Sequence, residues 1–259
     1  MLFIANLVRA GFVSALMGQR SQETTAQGEF CMKAVISRAI GGPQTLEFAE
    51  VEVPSPKAGE VLVKVAACGV NYPDALIIED KYQFKPSRPF SPGSEIAGTI
   101  ESAGPDAANL QPGMRILASA GWGGMAEKLT VPAERCFVIP DAMPFEEAAS
   151  FLMTYGTSHY ALKDRGHLKP GELLLVLGAA GGVGSAAIEI GKAMGARVIA
   201  AASSEEKVAF AKSCGADELH STVTTTFPSA FRLESHAIAS PDWASGKHFE
   251  MRGLIAPLS

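Results

Sequence analysis

Glycines that follow a strand-length apolar run have the types and spacing that could bind a phosphate group. The run Leu173–Leu177 leads into a glycine-rich turn, residues 185–194 carry apolar side chains at helical spacing, and a second apolar run covers residues 196–204. In such a strand–turn–helix–strand unit, the pyrophosphate of a dinucleotide binds backbone N–H groups at the helix N-terminus, which glycines let it approach. The residues predicted to line this site are Ala179, Gly181, Gly182, Val183 and Gly184.

The turn departs from the usual G-x-G-x-x-G pattern at one place, because Ala179 stands where the first glycine is expected. A turn that only packs a helix against a strand, without a ligand, is the alternative. We favour the dinucleotide site because a strand precedes the turn and another follows at the spacing of a βαβ unit.

The end of the second strand bears on the choice between NAD and NADP. An NAD site usually has Asp or Glu about 20 residues after the glycine turn, where it accepts a hydrogen bond from the ribose 2′-OH. Here the matching residue is Ser203, and Lys207 follows it. We expect Ser203 and Glu206 to form a capping box, which would occupy Glu206 locally. A neutral strand end beside a cation favours NADPH, since the lysine can pair with the 2′-phosphate; a solvated helix lysine is the alternative.

The chain before the glycine turn must supply the rest of the site, and it is rich in predicted strands. Runs of β-branched and alternating apolar residues are separated by Pro and Gly, as in a compact barrel. Residues 144–162 then show helical spacing and lead into the nucleotide-binding half. The predicted strands are 32–36, 46–53, 61–67, 95–102 and 115–118.

Composition excludes several classes of function. The chain has 259 residues, 47% of them hydrophobic, which suits one large or two ordinary domains. A net charge of -5 without a basic block argues against a nucleic-acid partner, and no apolar run approaches the roughly 20 residues of a membrane span. Four scattered cysteines without a C-x-x-C pair predict neither a disulfide framework nor a thiolate metal site, so we expect a reducing compartment, the cytoplasm.

The two ends differ from the middle of the chain. Arg9 and Arg20, with no acidic residue before Glu23, are typical of a mitochondrial presequence, but we favour a disordered extension because residues 19–29 are polar. After Glu218 the periodicity fades, although a dinucleotide-binding half should continue with further βα units. The predicted parts are an extension at 1–31, a barrel domain at 32–150, a partial nucleotide-binding domain at 151–218 and a divergent tail at 219–259.

Several stretches, taken in order, resemble the medium-chain dehydrogenase/reductase superfamily and, within it, the zinc-free quinone oxidoreductases related to zeta-crystallin. The resemblance covers residues 32–218 and is carried by A-C-G-V-N-Y-P-D at 67–74, P-G-S-E at 92–95, G-G-M-A-E at 123–127, T-Y-G-T at 154–157 and the glycine turn. It implies an α/β fold, a GroES-like β-barrel domain followed by a Rossmann domain that is incomplete here. In this family the substrate and the nicotinamide occupy the cleft between the two domains.

The resemblance implies that no metal takes part. Zinc-dependent alcohol dehydrogenases of the superfamily have a cysteine where this chain has Asn71 and a histidine where it has Ser94, and neither replacement is an ordinary zinc ligand. Cys68 lies three positions before Asn71, and we interpret it as a small buried residue.

The resemblance also implies roles for residues of the cleft. Asn71 would line its reactive end, with Tyr82 nearby as a hydrogen-bond donor to a quinone oxygen; a packed aromatic ring with a solvated hydroxyl is the alternative for Tyr82. Thr157 matches the threonine that meets the nicotinamide carboxamide. Asp74 and Glu95 are expected to be structural.

These implications favour NADPH-dependent reduction of quinones by hydride transfer, since an electron-poor ring held against the nicotinamide needs no Lewis acid. Lys207 matches the lysine that reaches the 2′-phosphate in this family, whereas an aromatic residue that helps to hold it would fall near Thr222 and is absent. Two alternatives stay open: an enoyl or alkenal reductase of the same superfamily, and an inactive or nucleotide-binding-only product that lacks the second half of the Rossmann sheet.

The tail weakens the expectation of activity. Complete relatives commonly dimerise through the edge of the Rossmann sheet, and the tail offers only short strand candidates such as 230–233 and 253–256. We therefore expect weak or no turnover, an exposed sheet edge and a mostly disordered tail.

Overall fold

The structure is a computed structural model that describes residues 30–107, 109–221 and the strand Ile255–Ala256. The predicted N-terminal extension, apart from its last two residues, lies outside the described residues. The same holds for most of the predicted tail, including Thr222. No helix within the described part of the chain is both long and apolar enough to span a membrane.

The first half of the described chain is built from antiparallel strands. A two-stranded sheet pairs β1 with β2, and a five-stranded sheet has the order β6-β3-β4-β5-β7. The strands are β1 (Cys31–Ser37), β2 (Leu46–Glu52), β3 (Glu60–Gly69), β4 (Glu95–Ala103), β5 (Arg115–Ser119), β6 (Lys128–Pro132) and β7 (Cys136–Val138).

The larger sheet is open, which corrects the expectation of a closed barrel. Among residues 30–107 and 109–221, its edge strands β6 and β7 each pair with one neighbour, and β7 does so over three residues. Strand β1 approaches through isolated bridges, such as Ala34 to Ala126, instead of a continuous ladder. An antiparallel half followed by a parallel βαβ half agrees with the predicted α/β fold class.

Inward-facing side chains of the five-stranded sheet form the core of this half. Val61 and Val63 are fully buried beside Ile96, Ile116 and Val131. Alternate residues of a strand point to the same face, and the opposite face is buried as well, because Ala97 and Leu117 pack there against Ala148 and Ala149. This sheet presents the C-terminal end of β3 and the start of β4 to the second half of the chain.

Short helices connect the two halves. They are the 3₁₀ turns Pro43–Thr45 and Ala133–Arg135, α1 (Tyr72–Ile78), α2 (Phe145–Ala148) and α3 (152–165), in which π-helical turns Leu152–Gly156 and Tyr160–Arg165 flank the α-helical Thr157–His159. The single helix predicted over 144–162 is thus interrupted. The Ser150 hydroxyl donates to the carbonyl oxygens of Glu146 and Glu147, at 3.2 and 3.0 Å, and such bonds compete with the helical pattern.

The second half contains the βαβ unit that the sequence predicts. Its elements are β8 (Leu173–Leu177), α4 (Gly182–Ala193), β9 (Arg197–Ala202), α5 (Glu205–Ser213) and β10 (Glu218–Ser221). The prediction that β8 and β9 are parallel and adjacent is confirmed. Strand β10 extends the parallel sheet on the other side of β9 and crosses the domain boundary that the sequence predicts at residue 218.

The far edge of β8 is paired over two residues. A short strand β11 (Ile255–Ala256) lies antiparallel to β8 and contacts it at Leu173 and Leu174. The sheet therefore has the order β10-β9-β8-β11. The edge that was expected to be exposed is covered for this short length, and the covering strand runs against the direction of its neighbours.

Candidate active site

The glycine turn leaves room for a ligand between β8 and α4. Gly178 has a φ of 65°, in the left-handed region that favours glycine, and so turns the chain directly after the strand. Gly181 caps α4 with an extended backbone, and a Cβ added there would meet its nearest neighbour, the carbonyl oxygen of Gly178, only at 3.4 Å. The first N–H groups of a helix lack intrahelical acceptors. A phosphate can therefore approach this backbone.

Gly184 is needed for the packing of α4 against the turn. A Cβ at this position would lie 2.4 Å from the carbonyl oxygen of Gly178 and 2.9 Å from the Cα of Ala179. Both neighbours are backbone atoms that cannot turn aside. The absence of a side chain at Gly184 thus lets α4 pack directly on the turn.

The other predicted turn residues divide between packing and exposure. Ala179 is fully buried, and its N–H donates to the carbonyl oxygen of Ala201 at 3.1 Å, so it joins the turn to β9. Val183 is exposed in the first turn of α4, and a Cβ at Gly182 would lie 2.9 Å from the Thr154 side chain of α3. Ala179 is therefore placed to shape the turn, while Val183 and Gly182 lie on its accessible side.

Helix α3 brings Thr157 to the same place. Ser158 is buried and its hydroxyl donates to the carbonyl oxygen of Val183 at 2.9 Å, which ties α3 to the first turn of α4. Thr157, its neighbour in the chain, is exposed. The tie therefore holds Thr157 near the first turn of α4.

The end of β9 carries the predicted pair of Ser203 and Lys207. The Lys207 ammonium donates to the Ser203 hydroxyl at 3.1 Å, and both residues are exposed. The predicted capping box of Ser203 and Glu206 is wrong, because the cap of α5 is Ser204. Ser204 has the extended backbone of a cap, and its hydroxyl accepts from the Lys207 N–H at 3.4 Å. The Ser203 side chain is therefore available to pair with the lysine.

Asn71 lies where the two halves meet. Its side-chain Nδ2 donates to Oε2 of Glu95 at 3.0 Å, and its backbone N–H donates to Oδ2 of Asp74 at 2.7 Å. The other oxygen of Glu95 accepts from the backbone N–H of Met153, in the first turn of α3, at 3.1 Å. One carboxylate thus contacts both the start of α1 and the helix that carries Thr157.

Burial affects both carboxylates near Asn71. Asp74 and Glu95 are 4% and 1% exposed. Burial raises the pKa of Asp74 against the opposing effect of the Asn71 N–H and the nearby Ser94. Burial likewise raises the pKa of Glu95, against its bonds from Met153 and Asn71. The Ser94 hydroxyl is buried beside Asp74 without a hydrogen bond of ordinary length to any described residue.

We expect these raised pKa values to affect the pH dependence of stability. The ordinary values are 3.8 for Asp74 and 4.5 for Glu95, so each group binds its proton more tightly in the folded chain than in the unfolded one. The two groups therefore stabilise the folded chain at a pH below their ordinary pKa values. This stabilisation is lost as the pH rises through their raised pKa values. Urea unfolding of the wild type and of Asp74→Asn, measured from about pH 7 down to about pH 4.5, tests this.

The stability of the wild type relative to Asp74→Asn should increase as the pH falls, because the variant has no proton to bind at this position. Glu134→Gln, which removes an exposed carboxylate, is the control and should keep a constant difference from the wild type. A difference for Asp74→Asn that shrinks with falling pH would contradict the assignment.

Cys68 is half-buried. Burial, together with the charges of Asp74 and Glu95, raises its pKa to about 12. A Cβ at Gly93 would lie 2.6 Å from its sulfur, so the two residues are packed together. The interpretation of Cys68 as a packing residue agrees with this environment. Within residues 30–107 and 109–221, no three His, Cys, Asp or Glu side chains are arranged to hold a metal ion.

Tyr82 lies in the loop after α1. It packs against the buried cluster of Ile77, Ile78 and Phe90, and its ring meets Phe84 edge-on with 5.8 Å between the centroids. Burial raises the pKa of Tyr82, and the charge of Asp74 acts in the same direction. The ring is therefore packed, as the alternative interpretation expects. Its hydroxyl stays protonated, and the charge of Asp74 favours this neutral form.

Two contacts of the site have no signal in the sequence motifs. The Met153 N–H is a backbone group, so its residue type says nothing about its bond to Glu95. Ser158 lies next to a recognised residue, yet its acceptor is a backbone carbonyl. A Ser next to the T-Y-G-T stretch was the only local hint of the second contact.

Two family matches divide the chain as its fold does. Residues 57–141 match the family described as "Alcohol dehydrogenase GroES-like domain", and residues 182–233 match the family described as "Zinc-binding dehydrogenase". The first match lies on the antiparallel half and the second begins at α4.

Individual proteins match across both halves. The quinone oxidoreductase of Pongo abelii is 37% identical over 196 residues, which are 75% of this chain and 60% of that protein. The quinone oxidoreductase of Thermus thermophilus, solved also in complex with NADPH, is 37% identical with a TM-score of 0.66, over 74% of this chain and 60% of the other. An NAD-dependent alcohol dehydrogenase is 32% identical with a TM-score of 0.70, over 74% and 64%. The chain thus spans about 60% of the length of the curated relatives it matches.

Proposed function

We propose that the chain is a member of the quinone oxidoreductases of the medium-chain dehydrogenase/reductase superfamily, and that it binds NADPH and reduces quinones by hydride transfer without a metal ion. The observation that carries the proposal is the placement of Asn71 and Thr157. A single buried carboxylate joins Asn71 to the helix that carries Thr157, so a substrate donor and a nicotinamide contact lie on connected elements.

The residues present fit NADPH. The turn at Gly178 and Gly181 leaves backbone accessible to a pyrophosphate, and Lys207 with Ser203 offers a cation and a hydroxyl to a 2′-phosphate. No acidic side chain stands at the end of β9, where an NAD site would need one. One similar structure is an NADPH complex and another is named as NAD-dependent, so the residues of this chain decide our preference. Bound NADPH would supply the hydride.

The substrate side of the site offers neutral hydrogen-bond donors. Among the described residues, Nδ2 of Asn71 donates only to Glu95, so its second N–H is available to an oxygen of the substrate. The family resemblance also suggests a role for the Tyr82 hydroxyl, which already interacts with the Gln83 side chain. Charge develops on a quinone oxygen when the ring accepts a hydride, and donors aimed at that oxygen stabilise it. The same oxygen then takes a proton from water, and the ring carbon that accepted the hydride loses a proton while the second oxygen gains one, which gives the hydroquinone.

The site chemistry does not call for zinc. Asn71 and Ser94 are an amide and a hydroxyl, which are not ordinary zinc ligands, and the Cys68 thiol is held neutral by its surroundings. A quinone is already electron-poor, so hydrogen bonds suffice where a simple ketone would need a Lewis acid.

The test is NADPH oxidation with 1,4-benzoquinone by the wild type and by Gly181→Val. The valine has space against the protein but occupies the side that the pyrophosphate should approach. We expect the variant to fold and to lose at least about tenfold in rate, as expected when a close ligand contact is blocked. A chelator should leave the wild-type rate unchanged. Wild-type protein that binds no NADPH, or that needs added zinc, would refute the proposal.

One observation favours a second candidate, a protein that binds the nucleotide without turning over a quinone. Beside β8 lies the two-residue antiparallel strand β11, whereas a doubly wound sheet continues there with parallel strands that help to hold the nicotinamide. The second function would be identified if the wild type binds NADPH with full affinity and reduces no benzoquinone, so that its rate equals that of Gly181→Val.

A further inference from the structure

We infer that Glu95 is a positioning residue: its carboxylate orients the Asn71 amide as a donor and holds it in register with helix α3. The inference rests on the proposed function, since Asn71 is the donor to the substrate there. It concerns a residue that touches neither the substrate nor the nucleotide and acts through its two neighbours.

The two oxygens of Glu95 serve opposite halves of the chain. Oε2 accepts from Nδ2 of Asn71 at 3.0 Å, and Oε1 accepts from the N–H of Met153 at 3.1 Å. The side chain is 1% exposed and begins β4, where the ladder pairs it with Gly69 and Ser119 on either side. Its backbone is therefore held by the sheet, and both acceptors are fixed in space.

An ionised carboxylate can orient the amide because it only accepts hydrogen bonds. An Asn side chain has a donating and an accepting end that differ by a half-turn, and a carboxylate tolerates only the donating end. Nδ2 of Asn71 must therefore face Glu95, and its second N–H has no acceptor among the described residues. Asp74 holds the backbone N–H of the same residue at 2.7 Å, so the main chain at Asn71 is fixed and Glu95 acts on the side-chain amide.

The connection between the halves is short and stiff. A Cβ at Gly69 would lie 2.1 Å from the carbonyl oxygen of Ala149 and 3.3 Å from Oε2 of Glu95. The end of β3 thus touches the chain just before α3, with no space for another side chain between them. Met153 lies four residues before Thr157 in the same helix, so the bond to Glu95 relates the substrate donor to the nicotinamide contact.

Glu95→Gln is the decisive variant. A glutamine can accept from Met153 with its oxygen, but its amide then faces Asn71 with donors. Asn71 must flip to present its own oxygen, and its N–H groups turn away from the substrate. We expect kcat with 1,4-benzoquinone to fall about tenfold, the loss of one donor to the developing charge being worth at least that much. The Kd for NADPH should change less than about twofold, because the nucleotide contacts are elsewhere.

Two spectroscopic readouts keep the test independent of turnover. In Glu95→Gln, the side-chain NH₂ resonances of Asn71 should shift while the Met153 amide keeps its protection from hydrogen exchange. In Glu95→Ala, both should change. Glu101→Gln, on the same strand but exposed, is the matched control and should change none of these quantities.

The outcomes separate the inference from the proposed function. If the wild type reduces no quinone, the proposed function fails, and the Asn71 and Met153 resonances still decide whether Glu95 orients the amide. Unchanged Asn71 and Met153 signals in both variants would overturn the inference. A Glu95→Gln enzyme with shifted Asn71 signals and wild-type kcat would also overturn it, as would one that loses NADPH binding together with kcat.

Discussion

Replacing Gly184 with alanine should destabilise the nucleotide-binding half by about 2 kcal/mol, the range for a methyl group forced into a packed interior. The new Cβ would stand 2.4 Å from the carbonyl oxygen of Gly178 and 2.9 Å from the Cα of Ala179. Alanine gains up to about 1 kcal/mol over glycine within a helix, which acts in the opposite direction. The clash should outweigh this gain because both neighbours are backbone atoms, and α4 must move away from the turn to make room.

Gly181→Ala is the matched control for this prediction. Its Cβ would meet nothing nearer than 3.4 Å, so the same chemical change should cost less than about 1 kcal/mol, the amount by which alanine is worse than glycine at a helix N-cap. Hydrogen exchange of the amides in β8 and α4 reports where any loss occurs. A Gly184→Ala protein as stable as Gly181→Ala would show that the helix can relax without cost and that the close contact is unimportant.

Replacing Lys207 with glutamate should weaken NADPH binding by about a hundredfold, while NADH binding stays within about twofold of the wild type. Two effects add: the ammonium no longer pairs with the 2′-phosphate, and a carboxylate takes its place next to that anion. NADH has no phosphate at this position and so is indifferent to the change. Isothermal titration with both nucleotides at one ionic strength measures the two affinities.

The control for charge alone is Lys212→Glu on the same helix. Lys212 is exposed in the last turn of α5, so this variant has the same net charge but keeps the Ser203–Lys207 pair. It should bind NADPH within about twofold of the wild type, since long-range charge effects are screened by salt. Equal losses for NADPH and NADH in Lys207→Glu would mean that the lysine does not contact the 2′-phosphate.

The nucleotide-binding half illustrates how much local sequence determines. The apolar run Leu173–Leu177 is β8, and its parallel pairing with β9 follows from the βαβ spacing. The glycine turn could be located because its residues carry their function in their backbone freedom. Boundaries were less well determined: the cap of α5 is Ser204 and not Ser203, since two neighbouring serines are equivalent until the end of β9 is known.

The ends of several helices and strands depend on tertiary contacts, which the hydrophobic pattern of the sequence does not reveal. The helical spacing over 144–162 continues through Ser150, but its hydroxyl bonds to two carbonyls of the preceding turn and the helix breaks there. The strand spacing predicts a barrel, while closure depends on edge strands that never meet. Strand β11 pairs with β8, which lies some 80 residues earlier in the chain. The sequence of a two-residue strand is too short to predict this pairing.

The residue types of the site were determined by the sequence alone, because an amide at Asn71, a hydroxyl at Ser94 and a lysine at Lys207 have fixed chemistry wherever they lie. Only the tertiary structure decided how Asn71 is oriented. Its amide is turned by Glu95, 24 residues further along the chain, and Glu95 is joined in turn to the N–H of Met153, 58 residues beyond. A hydrogen bond to a backbone N–H needs proximity and no particular side chain, so folding has to bring the three groups together before the contact exists.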